Sequence, residues 1–230
     1  MRDVFRRVGR VFFELERGLP YTAWRMLRCP GTVARRDLDG EARRFMGPVG
    51  YFLIAATLLF LVLGRMEEEL LQFAALYDTG SRTDVEVQLM AALGADSQQE
   101  LSRLTFRFQQ NYFTYLELLG ALPIAAGLRL LFSGRTLAEW MVVELYTKAQ
   151  VMIYTSVLLT LLLVAESPET VGIIGGMGGL VQLGMHVWVV CDFAGASWST
   201  AVRSVGAYLV GSAAWAGGIL GLLWLVLILA

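Results

Sequence analysis

A charged side chain facing hydrocarbon costs about 2.5–3.5 kcal/mol on insertion scales, so one kept inside an apolar run serves a partner, an ion or a proton. Glu117, Arg129, Glu144 and Lys148 are such side chains. Glu117 and Arg129 are twelve residues apart, about 18 Å along a helix, and cannot pair with each other. Arg129 is expected near an inner membrane boundary, where its long stem lets the guanidinium snorkel. Glu144 and Lys148 are spaced i, i+4 and are expected to pair on one helix face. Glu117 keeps no sequence neighbour of opposite charge within reach. It is therefore the leading candidate for proton or cation chemistry, against the plainer reading of a hydrogen bond that fixes packing.

Other constellations carry less. The triplet "DTG" (Asp78 to Gly80) has no second copy, whereas aspartic-protease chemistry needs two carboxylates sharing a proton. The run "GIIGGMGGL" (Gly172 to Leu180) lacks the Gly-Lys-Ser/Thr ending of a phosphate loop. Its pairs Gly172 with Gly176 and Gly175 with Gly179, repeated later by Gly217 and Gly221, are instead small residues four apart, which let helices approach closely in lipid. Cys29, Cys191 and the single His186 make no set of four close zinc ligands. No metal, no cofactor, no catalytic nucleophile and no nucleic-acid partner is expected.

The elements that must position these residues are membrane helices. Of 230 residues, 56% are hydrophobic and only 17% charged, too apolar for an ordinary soluble domain. Apolar runs near the ~20 residues that cross a bilayer predict five spans, at about 45–64, 112–132, 145–165, 170–191 and 204–229. The expected fold is an all-α integral membrane bundle, residues 45–230, behind a basic amphipathic collar over residues 1–44. In that collar Cys29-Pro30-Gly31 is expected as a turn ending a short helix, and Gly47-Pro48 as the start of the first span. The loop 65–111 is expected as a small helical cap: "TDVE" (Thr83 to Glu86) and "SQQE" (Ser97 to Glu100) both match a capping box, and Leu89, Leu93, Leu101, Leu104 and Phe108 share a plausible face.

Threading follows from the arginines, since positive residues are retained on the cytoplasmic side. Met1 to Met46 holds eleven Arg against six acids, and Arg65 to Asn111 four Arg against eight acids. The N-terminus is thus expected in the cytoplasm and, after five spans, the C-terminus on the outer side. Arg35, Arg36, Arg43 and Arg44, close to the first span, are expected to hold anionic lipid head groups, at about 1 kcal/mol each.

The order Pro30-Gly31, Arg36-Asp37, Gly40, Arg43-Arg44, Pro48 and Tyr51 resembles the segment leading into the first span of a bacterial family of polytopic inner-membrane proteins of unknown function. "RTLAEWMVVELY" (Arg135 to Tyr146) resembles that family's segment before its third span, and "FAGASWSTAVRSVGAYL" (Phe193 to Leu209) its connection into the last. The resemblance implies a five-span plan similar to Yip1-type membrane proteins, whose roles lie in trafficking and organisation. Two features depart from it: the N-terminal zinc ribbon common in the family is missing here, and Trp140 stands where a histidine is frequent.

These readings lead to a non-catalytic membrane protein, a scaffold, assembly factor or accessory subunit that binds lipids through its arginines and other membrane proteins through glycine-lined helix faces. The rival is a small carrier or channel that uses Glu117, although no internal repeat of the kind carriers show is visible.

Overall fold

The computed structural model describes residues 18–40, 45–66, 87, 90, 95–162 and 168–229, and among them every regular element is helical. The collar contributes α1 (18–26) and α2 (Pro30–Leu38). The remaining elements are α3 (Pro48–Arg65), α4 (Gln98–Leu131), α5 (Leu137–Leu162), α6 (Pro168–Ala194) and α7 (Trp198–Leu229). The expected amphipathic helix at residues 1–17, Arg43, Arg44 and the "TDVE" box lie outside the described residues.

Local sequence accounts for most helix starts. Pro48 opens α3 at a position where its missing N–H would have no intrahelical partner. Ser97 caps α4 by accepting the Glu100 N–H at 3.2 Å, while the Glu100 carboxylate reaches back to the Asp96 N–H at 2.9 Å. Thr136 and Glu139 form a reciprocal capping box at the start of α5, with Glu139 Oε2 accepting the Thr136 N–H at 2.6 Å and Thr136 Oγ1 accepting the Glu139 N–H at 3.2 Å. Ser197 accepts the Thr200 N–H at 3.1 Å at the start of α7.

Two expectations about the chain path are corrected. Pro30 and Gly31 do not form a loop but open α2, with proline in its first turn. The helix capped at Ser97 does not end within the outer loop: it runs 34 residues into α4, about 51 Å at 1.5 Å per residue. Nothing between Gln98 and Tyr115 breaks a helix, since polar side chains there leave the backbone ladder intact. Leu104 and Phe108, expected on a covered face, are exposed, whereas Leu101 is buried beside Met90 and Ala95; Leu89 and Leu93 lie outside the described residues.

Helix α5 is the hub. It packs against α2, α3, α4 and α6, and the contacts α4 with α5, α5 with α6, α6 with α7 and α7 with α4 close a four-helix ring. Close approach within the ring uses glycines that the four-residue spacing did not single out. A side chain at Gly211 of α7 would lie 2.6 Å from the Ile124 Cα of α4, and one at Gly127 of α4 would lie 3.0 Å from the Ala207 carbonyl oxygen of α7. In contrast, no described atom lies within 4 Å of a side chain added at Gly179, Gly217 or Gly221. Among the described residues these three draw no helices together. Gly172, Gly175 and Gly176 lie on α6, but their surroundings fall outside the described residues.

The helix α2 is clamped across the end of α6. A Cβ at Gly31 would sit 2.2 Å from the Phe193 nitrogen, the Thr32 N–H donates to Asp192 Oδ2 at 3.1 Å, and the Arg35 guanidinium donates to the Asp192 carbonyl. Arg35, expected to hold lipid, is thus engaged within the protein. α1 is tied in by Thr22, whose hydroxyl accepts the Met46 N–H at 2.9 Å just ahead of α3.

Candidate functional site

The capping box at Thr136 sets the register of α5, and that register gives the helix two polar stripes. Tyr146 and Gln150 serve the side of α3: Tyr146 donates to the Met46 carbonyl at 2.8 Å and Gln150 accepts from the buried Tyr51 hydroxyl. Trp140, Glu144 and Lys148, also one turn apart, serve the ring. The Trp140 indole is fully buried, its ring centroid 5.3 Å from that of Phe132 and 5.4 Å from that of Phe193. One turn on, Glu144 Oε1 lies 2.9 Å from His186 Nδ1 of α6, and both residues are 1% exposed. Another turn on, Lys148 Nζ donates to Glu117 Oε2 of α4 at 2.6 Å.

Glycine makes the second contact possible. Gly120 follows Glu117 by one turn, and a Cβ there would approach the Trp215 indole at 3.3 Å and Lys148 Nζ at 3.6 Å. The missing side chain leaves room for the lysine to cross from α5 to α4. Tyr208 of α7 completes the cluster, with its ring 5.2 Å from the His186 ring and within electrostatic reach of Glu144 and Glu117.

The expected same-helix pair of Glu144 with Lys148 is therefore corrected. Spacing of i, i+4 permits that pair but does not require it: Lys148 bonds to Glu117 of α4, and Glu144 lies against His186 of α6. A pair that joins two helices restricts their relative rotation, which a pair within one helix cannot do. Glu117, expected to lack a partner nearby in sequence, has one 31 positions away. His186 was set aside in the sequence for want of metal ligands. Its signal was its solitude, the one imidazole of the chain, placed in an apolar run. Among the described residues no group of three His, Cys, Asp or Glu side chains could hold a metal ion.

The contact between Glu144 and His186 is close without being well directed. Its two atoms are within ion-pair distance, yet neither of them, nor His186 Nε2, meets hydrogen-bond geometry with any group. It is a close contact between an acid and an imidazole that lie out of hydrogen-bond alignment. Trp140 Nε1 and Ser204 Oγ are also buried without a partner. Outside the ring the electrostatics are ordinary. The Thr136 N–H and then the Arg135 guanidinium, 2.7 Å from its carboxylate, hold Glu139 down at about 2, while burial pushes Asp37 of α2 up.

A family described as protein of unknown function (DUF3667) matches residues 16–60, which hold α1, α2 and most of α3. The match covers the later part of the collar and most of the first apolar helix, and does not extend to the ring or its charged cluster. No curated protein and no solved structure matches the chain.

Proposed function

We propose that the chain is a five-span inner-membrane protein, N-terminus cytoplasmic and C-terminus periplasmic, that serves as a scaffold or accessory subunit for other membrane proteins. Two helices, Pro48–Arg65 and Asn111–Leu131, are long and apolar enough to cross a bilayer. α5, α6 and α7, of 26, 27 and 32 residues, have the length to do so as well. The distribution of side chains favours lipid around them: Leu61, Leu119, Leu130, Leu161 and Val210 are exposed, while Glu144, Lys148 and His186 are buried. A soluble bundle has the reverse pattern.

The observation that carries the scaffold reading is the open glycine face of α7. Gly217, Gly218 and Gly221 are exposed, with no described atom near the position of a Cβ, on a helix whose inner face is already packed by Ala207 and Gly211. In lipid, where association rests on close packing, such a face suits a helix of another protein. Gly217→Leu should abolish copurification of that partner while leaving thermal stability unchanged. A partner retained at wild-type level by a folded Gly217→Leu protein overturns the reading. Reporters fused at Gly134 and after Ala230 test the threading, with cytoplasmic and periplasmic signals expected respectively.

The carrier reading has its own support in the Glu117–Lys148 bond, an ion pair joining two helices of the bundle. Glu117→Gln should then stop ion-linked uptake, whereas a scaffold tolerates it.

A further inference from the structure

Buried polar groups in folded proteins are almost always hydrogen-bonded, and those that are not call for an explanation. In the ring, Glu144 Oε1, both nitrogens of His186, Ser204 Oγ and Trp140 Nε1 are unpartnered. Glu144 and His186 are the telling members because both are titratable and fully enclosed, and because four helices converge on them. A purely structural clamp would be better served by an aligned bond or by apolar side chains of the same volume. A misaligned acid–imidazole contact leaves hydrogen-bonding capacity unused on each partner.

We propose that Glu144 and His186 form a proton-binding site in the centre of the helix ring. The ligand is one proton, delivered by water and bound by a ring nitrogen or a carboxylate oxygen of the pair, with no other bond made or broken. Without it the pair carries one net negative charge; with it the pair is neutral, either as imidazolium with carboxylate or as imidazole with carboxylic acid. A second proton would leave one net positive charge.

The surroundings are compatible with this count. On α4, Glu117 is neutralised by Lys148 of α5 at 2.6 Å, so that pair adds no net charge. On α7, the Tyr208 ring lies against His186 at a tilt of 48°. On α3, Tyr51 is committed to Gln150, and at the α2 end Asp37 lies beside Tyr146 while Asp192 holds the Thr32 N–H. The site stands apart from the open glycine face of α7, and the scaffold reading neither requires nor excludes it.

His186 is the only histidine in the chain, so isotopic labelling of histidine gives one imidazole signal without assignment. The full-length protein, carrying no histidine tag and placed in lipid nanodiscs, is labelled with ¹⁵N-histidine and ¹³C-carboxyl glutamate and titrated by NMR between about pH 5 and 9. In the wild type the imidazole signal should move in one step, accompanied in the same step by one glutamate carboxyl. Glu144→Gln should remove that carboxyl signal and displace the imidazole midpoint by about one pH unit or more, a tenfold change in proton affinity. Glu144→Asp retains the carboxylate and should retain the joint step, which covers the case of a Gln variant that does not fold. An imidazole that fails to titrate in this range, that titrates without a carboxyl, or whose midpoint is unmoved in a folded Glu144→Gln protein overturns the proposal.

Discussion

The collar end and the centre of the ring treat polar groups in opposite ways. At the collar the bonds close: Thr22 holds the Met46 N–H, Tyr146 takes the Met46 carbonyl, Asp192 receives Thr32 and Arg35, and Thr136 with Glu139 completes a cap. At the centre, a turn or two along α5, Glu144 and His186 meet without alignment while Trp140 and Ser204 find no partner. A satisfied network fixes one geometry and resists change. An unsatisfied one costs stability, and its retention points to chemistry that a well-bonded core would forbid. The collar is thus the fastener of the molecule and the ring centre the region with something to exchange.

The largest expected effect breaks the fastener. Gly31→Leu would drive a side chain into the backbone of Asp192 and Phe193, which cannot move aside as a flexible side chain would. Overpacking of this kind costs about 1–3 kcal/mol or more, and a helix lying across a bundle end has the alternative of detaching. Limited proteolysis should show new cleavage between residues 18 and 40 while the ring stays protected. Gly40→Ala, at a turn with nothing within 4 Å but with φ at +78°, should cost less and leave α2 docked.

A smaller effect tests how far the ring centre is held by charge. Glu117→Gln or Lys148→Met alone leaves one ionised group in the ring without its partner, for an expected loss of about 1–3 kcal/mol in unfolding free energy. The double variant should recover most of that loss, because burial of an uncompensated charge, and not the absent bond, is the dominant penalty. Unfolding in detergent followed by the tryptophan signal measures all three. Equal losses in single and double variants would show that the pair contributes through packing of the Lys148 stem against Gly120 and Trp215.

The two regions also differed in how legible they were. Caps are local, so Ser97 and Pro48 declare their helices in the sequence, and Thr136 with Glu139 carries the same hydroxyl-x-x-Glu signal as "SQQE". The charged cluster depends on which helix lies beside which, information no window of sequence holds: Glu144 and Lys148 face different neighbours because α5 is surrounded. The glycines depend on the same information. Four-residue spacing identifies faces that could pack closely, but Gly127 and Gly211 do so against Ala207 and Ile124, and only the small-residue pair Ala207 and Gly211, four apart on α7, would have flagged that contact.

The smallest expected effects lie at acid pH and carry opposite signs within the collar end. Glu139 is held down at about 2 from an ordinary 4.5 by the Thr136 N–H and Arg135, so the folded state binds the proton less readily than the unfolded one. Its contribution is present above pH 4.5 and is lost as the pH falls toward about 2. Asp37 is the reverse case. Burial raises it above its usual range, so folding favours its protonated form, and its contribution is present at low pH and lost as the pH rises through the raised value. Glu139→Gln should therefore flatten the acid side of the stability profile, whereas Asp37→Asn should raise the melting temperature at neutral pH, where wild-type Asp37 is charged at a cost. Thermal melts at pH 3, 5 and 7 separate the two. If Asp37→Asn lowers the melting temperature at pH 7, the Asp37 carboxylate is a bonding partner of Tyr146 and belongs with the satisfied groups of the fastener.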